Sequence, residues 1–170
     1  MIKKVRILTT ISLLIALDVV FTRFFSYMLP GNLDRLSLQY IPHALGGMLF
    51  GPLYAAIACV VGDILGMLIN SAGFAFTPMF TASAAMRGLL YGLLLHKKPV
   101  TLGRCILSVS VVTLIVDLGL NPIWMNILYE QAYLPILLAK IPVRIIFAPA
   151  AGALMYPLLK RLGEMFRFDE

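Results

Sequence analysis

Charge is nearly absent from stretches of this chain as long as a bilayer is thick. Ile7 to Leu29, Leu53 to Ile69, Pro78 to Leu95 and Leu102 to Tyr129 each contain only one or two Asp, Glu, Lys or Arg side chains. A helix needs about 20 apolar residues to cross the hydrocarbon, and a stable soluble domain has no use for so many. Across all 170 residues 61% are hydrophobic and 13% charged, against roughly half and a quarter in soluble domains. With short connections the chain has room for about six crossings and no separate soluble domain, so residues 1–170 read as one transmembrane domain. A self-contained ATP-driven pump is excluded, because no G-x-x-x-x-G-K-[ST] occurs. The nearest spacing, Gly46 to Gly51, runs into Pro52 within an apolar stretch.

The expected fold is an all-α membrane protein of six transmembrane helices, the second one short. The first run follows Lys3, Lys4 and Arg6 without a small-x-small cleavage site, so it reads as a retained helix rather than a signal peptide. Tyr40 to Phe50 is a short helix, Gly51-Pro52 a break, and Leu53 to Ile69 the third helix. Residues 70–77 read as a loop, Pro78 to Leu95 as the fourth helix, and His96 to Pro99 as a polar turn. The fifth helix spans Leu102 to Tyr129 with a kink expected near Pro122. Glu130 to Lys140 reads as a loop with room for some helix, before a sixth helix that ends near Leu162.

Loop charge orients these spans. With the N-terminus in the cytoplasm, Lys3, Lys4, Arg6, Lys97, Lys98, Arg104, Lys160, Arg161 and Arg167 fall on that side, nine of the fourteen Lys and Arg. The opposite loops hold Arg35 and Lys140. This asymmetry predicts an even number of spans and both termini in the cytoplasm. The net charge of +6 does not signal nucleic acid, because the bases cluster at the ends of apolar segments instead of forming a stripe on a polar surface. Cys59 and Cys105 sit in apolar runs and read as packed thiols.

Ionisable residues at membrane depth are costly and tend to mark function. Here they are Asp18, Arg23, Asp63, Arg87, Asp117 and Arg144. Helical spacing places Phe80, Ser83, Arg87 and Tyr91 on one face, and Asp117, Asn121 and Trp124 on another. These faces, with Arg23, Asp63 and Arg144 and the outer-loop residues Asn32, Arg35, Gln39, Tyr40, Asn70, Phe74 and Phe76, suit one outward-facing pocket for a flat, polar, partly anionic molecule. The alternative is structural: Asp63 with Arg87, or Asp117 with Arg144, as ion pairs, and Trp124 as an interfacial anchor. His43 reads as a packed or capping residue and His96 as a turn residue, both near the cytoplasmic side. Neither has a second ligand at helical spacing, so no metal site and no hydrolytic triad is expected. Small residues at four-residue steps (Gly47 and Gly51, Gly62 and Gly66, Ala84, Gly88 and Gly92, Ala148 and Gly152) read as close packing. Ser12 and Ala16, on the terminal helix, read as a face for a partner protein.

Three segments together resemble a known family. One runs from Tyr40 through His43, Gly46, Gly47, Gly51 and Pro52 to Gly62, Asp63 and Gly66; the second from Phe80 through Arg87 to Tyr91; the third from Leu118 through Asn121, Trp124 and Tyr129 to Arg144. They resemble the substrate-binding S components of energy-coupling factor (ECF) vitamin transporters, in particular the folate-specific branch, over nearly the whole chain. The resemblance implies a folate-binding subunit without catalysis or cofactor of its own. It implies docking on a transmembrane coupling protein and two ATP-binding subunits, which use the ATP, and delivery inward by reorientation in a bacterial cell membrane. It implies that Ser12 and Ala16 meet the coupling protein, Ser12 replacing the more usual Ala. Asn121, Trp124, Arg87, Asp63 and Arg144 are the expected ligand contacts, with Arg23 and Asp117 beside them and Tyr40 and Phe76 as lids; which acid meets the pterin ring stays open. The competing readings are an S component for another vitamin and an ion-coupled carrier using Asp18, Asp63 and Asp117. The carrier is disfavoured by the lack of an internal repeat.

Overall fold

The structure, a computed structural model, describes residues 2–28, 35–69, 77–130 and 132–165. Seven helices follow one another: α1 (Ile2–Arg23), α2 (Tyr40–Phe50), α3 (Pro52–Ile69), α4 (Pro78–Leu95), α5 (Leu102–Val112), α6 (Asn121–Tyr129) and α7 (Tyr133–Met165). A π-helical segment, Thr113–Leu120, joins α5 to α6, so the chain stays helical from Leu102 to Tyr129. Between α1 and α2 lies a small antiparallel hairpin, β1 (Ser26–Met28) and β2 (Arg35–Ser37), in which Ser26 faces Ser37 and Tyr27 faces Leu36.

Four helical stretches are long and apolar enough to cross a membrane: Val5–Arg23, Pro52–Ile69, Leu102–Leu128 and Tyr133–Gly163. Their outer surfaces are greasy. Leu8, Leu68, Leu114 and Ile146 are each two-thirds or more exposed, a poor arrangement in water and the expected one in lipid. The other two helices are special. α2 has 11 residues, roughly 16 Å at 1.5 Å per residue, and its first two turns are wholly buried. α4 has 18 residues and carries Arg87.

α4 is the centre of the bundle, packed against α3, α2 and α5, while α7 packs against α5 and α2 and α1 closes the far side of α3. Glycine makes these approaches feasible. A Cβ on Gly47 of α2 would lie 2.7 Å from the Gly92 nitrogen of α4, and one on Gly92 would overlap the backbone of Pro52. Gly51 ends α2 at φ 85°, a left-handed turn that other residues resist, and Pro52 starts α3 where its missing N–H costs nothing. The C-terminal ends of α2, α4 and α7 meet: His96 Nδ1 lies 3.1 Å from the Met48 carbonyl oxygen, and Gly163 abuts the Met48 side chain. Lys97, Lys98, Lys160 and Arg161 are exposed around this end.

Three expectations from the sequence are corrected. The first apolar run is not helical throughout: α1 stops at Arg23, and Ser26–Met28 pairs with β2 instead, so the fold is not strictly all-α. The stretch from Glu130 to Lys140 is a loop only at its start and is helical from Tyr133 on. Glu130 (φ 53°) ends α6 in a left-handed conformation and α7 begins at Tyr133, with Pro135 in its first turn where a missing donor is tolerated. The irregularity expected at Pro122 lies just before it, as the π segment. There the Asn121 N–H bonds the Val116 carbonyl, five residues back, and Pro122 contributes no donor.

Gly92→Ala is expected to destabilise the bundle by about 1–3 kcal/mol, the cost of overpacking a filled interior, read as a lowered unfolding midpoint in detergent. Gly103→Ala, where an added Cβ meets nothing within 4 Å, should leave that midpoint unchanged or slightly raised.

Candidate functional site

At the end of the bundle opposite Met48, one carboxylate holds two arginines. Asp117 Oδ1 accepts from Arg87 Nη2 at 2.9 Å, and Asp117 Oδ2 lies 2.9 Å from Arg144 Nη1. All three side chains are at least four-fifths buried. The groups arrive from α4, the π segment and α7, so the ion triad bolts together elements far apart in sequence. Asn121, one turn after Asp117, donates through Nδ2 to the same Oδ1 at 3.3 Å. Its own Oδ1 is buried without a protein partner among the described residues. A buried acceptor left unused costs about 1–3 kcal/mol, and a ligand donor would remove that cost.

A cavity of about 30 Å³ adjoins the triad. Its walls include Tyr40 and His43 of α2, Tyr91 of α4, Phe147 of α7 and Ser37 of β2. Tyr40 meets Phe147 edge to face at 6.0 Å, and the Arg144 guanidinium lies 5.7 Å from the centre of the Phe147 ring. The Ser37 hydroxyl is buried with no partner among the described residues. The space holds one or two waters, whereas drug-sized ligands need about 300–1,000 Å³. A ligand of that size does not fit the cavity as it stands.

Of the residues singled out in the sequence, Arg87, Asp117, Asn121, Arg144 and Tyr40 come together here. Trp124 adjoins them: half-buried, it donates from Nε1 to Ser83 Oγ of α4 at 3.0 Å, so it faces the bundle and is no plain lipid-facing anchor. Gln39 also borders the cavity. Asp63 and Arg23 do not. Arg23 Nη2 lies 3.8 Å from Asp63 Oδ1, and Asp63 Oδ2 accepts from Thr81 at 2.8 Å, on the flank where α1 packs on α3. They stand apart from this cavity, and the expected Asp63–Arg87 pair is corrected: the partner of Asp63 is Arg23, because α1, not the Arg87 face of α4, brings the charge across from it. The Asp117–Arg144 pair is present but shared with Arg87. Phe76, Asn32, Asn70 and Phe74 lie outside the described residues. Ser12 and Ala16 are exposed along α1.

His43 was expected near the cytoplasmic end. It lies instead one turn into α2 beside Tyr40, at the cavity end, with Nε2 2.9 Å from Asp18 Oδ1. Sequence reasoning also missed Ser37 and Phe147 as wall residues. Phe147 follows Arg144 by three and was findable from helical spacing. Ser37 was not, because nothing in the apolar run announced the hairpin.

With the geometry in place, three comparisons bear on it. A family model for the S component of ECF-type riboflavin transporters matches residues 2–164. The folate transporter FolT of Clostridium novyi (strain NT) is 34% identical over 163 residues, covering 96% of this chain and 93% of that protein. FolT of Leuconostoc mesenteroides subsp. mesenteroides is 30% identical over 149 residues, covering 87% and 77%. A crystal structure of FolT bound with folic acid matches the fold with a TM-score of 0.82 at 32% identity, covering 96% of this chain and 94% of that one.

Asp117→Asn should cost about 3–5 kcal/mol of stability, because it strands two buried guanidiniums. Asp63→Asn should cost less than that, since it leaves one buried guanidinium rather than two, Arg23 at 3.8 Å, and its own carboxylate is partly exposed. Thermal unfolding of the two variants in the same detergent checks the contrast.

Proposed function

We propose that this chain, which belongs to the family of ECF-type riboflavin transporter S components, is the folate-binding subunit of a bacterial vitamin importer. Family members of this kind are transporter components, not enzymes, and this one is a multi-pass membrane protein. The observation that carries the cargo is the full-length match to a FolT structure holding folic acid, together with curated relatives that are folate transporters.

The site supports the same cargo. A pterin is flat, with adjacent donors and acceptors on one edge, and the glutamyl tail bears two carboxylates. Tyr40, Tyr91, Phe147 and Trp124 offer ring faces and edges at the cavity or next to it. Asn121 presents an unused acceptor. Arg87 and Arg144 supply the positive charge for a carboxylate. On this reading Asp63 and Arg23 hold α1 to α3 and touch no ligand.

The remaining steps need partners. The chain carries no phosphate-binding loop, so ATP is spent by two nucleotide-binding subunits, coupled through a transmembrane protein that docks along the exposed face of α1 at Ser12 and Ala16. The loaded chain then reorients and releases folate inward. Six crossings with both termini cytoplasmic put the basic end at Lys97, Lys98, Lys160 and Arg161 inside and the cavity end outside, as loop charge requires. Riboflavin is the second reading, favoured only by the description of the family.

Titration of the purified protein with folate, riboflavin, thiamin, biotin and pantothenate tests the cargo. Folate is expected to bind most tightly, and Asn121→Ala to weaken it by about tenfold or more, as the loss of one buried hydrogen bond implies. No preference for folate would defeat the reading. Ser12→Leu with Ala16→Leu should leave folate binding by the isolated chain intact and abolish uptake in cells that supply the partner subunits.

A further inference from the structure

Among the described residues, two carboxylates are buried in this bundle, Asp117 and Asp18. Asp117 belongs to the cavity. Asp18, on α1, does not border that cavity, yet its surroundings are built with equal care. Its Oδ1 lies 2.9 Å from His43 Nε2, at ion-pair distance although not aligned as a hydrogen bond. The same oxygen accepts from Thr22 Oγ1 at 3.2 Å. On the other side α3 presents Gly62, where any Cβ would collide with Asp18 Oδ2. Three helices therefore leave room for one carboxylate and direct it at one imidazole.

That imidazole is a wall of the site. His43 is 5% exposed and follows Tyr40 by three residues, so the two share the α2 face that borders the cavity with Arg87 and Asp117. An apolar side chain would fill the same wall without the cost of burying an ionisable pair. Neither ring nitrogen makes an aligned hydrogen bond among the described residues, and the Cys59 thiol of α3 is the other polar group beside the ring. A carboxylate on one ring nitrogen fixes the orientation of an imidazole and leaves the rest of the ring for other work.

We propose that His43 is a further ligand-contacting residue of this site and that Asp18 is its positioning residue, acting from α1 through the imidazole. The proposal rests on the reading that this cavity binds the vitamin. It adds a polar contact on the α2 wall of a cavity that Arg87 and Arg144 also line, and it makes the fit of the ligand depend on a carboxylate that never touches it.

The test measures folate affinity and, separately, the unfolding midpoint of the ligand-free protein for His43→Phe, Asp18→Asn, Asp18→Glu and the double variant His43→Phe/Asp18→Asn. His43→Phe should weaken folate by about tenfold or more, the scale of one lost buried polar contact. Asp18→Asn should weaken it severalfold, Asp18→Glu should restore most of that loss, and the double variant should bind no worse than His43→Phe alone. Affinities within twofold of wild type, with only the unfolding midpoint lowered, would show a merely structural pair and overturn the proposal. Losses that add in the double variant overturn the positioning role of Asp18.

A second measurement needs no variant. The chain has two histidines, and His96 lies at the opposite end. In ¹⁵N-histidine NMR spectra folate should shift the His43 ring nitrogens and leave those of His96 in place; an unmoved His43 overturns the contact. Should wild type prefer another vitamin of the panel, the folate reading falls and the same variants and spectra are measured with that vitamin. Binding of none of them overturns both.

Discussion

A single carboxylate holds the cavity end of this bundle in register. Either arginine alone would be prohibitive in a lipid-embedded interior, and Asp117 stands between them, one oxygen for each. Since Arg87 rides on α4 and Arg144 on α7, their spacing there is set by the width of a carboxylate. The opposite end is held by different means: glycine faces on α2 and α4, the Gly51-Pro52 turn wedged against Gly92, and the Met48 contacts to His96 and Gly163. Contacts of glycine backbone with backbone offer an arriving ligand no group to replace. Charge pairs do have an alternative, because an arriving anion can take the place of Asp117 on either arginine. On the proposed reading, this asymmetry decides which end opens.

The position of Asp117 is itself a product of backbone chemistry. Pro122 cannot donate, so the turn before it lacks a rung, and the Asn121 N–H reaches Val116 five residues back. A wider turn at a functional position is a recurrent use of the π-helix. Here it keeps the chain helical through the membrane while placing Asp117 and Asn121 side by side, close enough for the amide to brace the carboxylate. The amide then has a spare oxygen, and a spare oxygen in a buried place is an invitation to a donor.

Much of this was legible in the residues. α2 and α4 follow the limits read from punctuation alone, because Gly51-Pro52 and Pro78 act on the local backbone and need no tertiary context. Helical spacing put Arg87 with Tyr91 and Asp117 with Asn121 for the same reason. What could not be read is which face of one helix meets which face of another. Asp63 has the chemistry of a site residue but the neighbours of a strut, since α1 lies across from it and brings Arg23. Lys140 reads as a loop cation by composition, yet it is 2% exposed within α7. A proline near the start of a helix looks like a loop signal until the helix is known to start there. His43 was assigned to the wrong end because the direction of a helix as short as α2 is easily lost in a count of spans.

The size of the cavity then bears on selectivity. Room for one or two waters cannot admit a pterin, so on the proposed reading binding separates Tyr40 from Phe147 or loosens the hold of Asp117 on its arginines. For a neutral flat ligand the second route costs a broken buried ion pair and returns nothing in kind. A ligand bearing carboxylates returns an equivalent partner to the freed guanidinium, so the exchange is close to neutral, and its ring still gains the aromatic walls. On the proposed reading the site penalises the wrong ligand through the interaction it must break rather than through any contact it fails to make. That is a reason, independent of ancestry, for an acidic vitamin such as folate to be favoured over a neutral flavin at a cavity built on Arg87, Asp117 and Arg144.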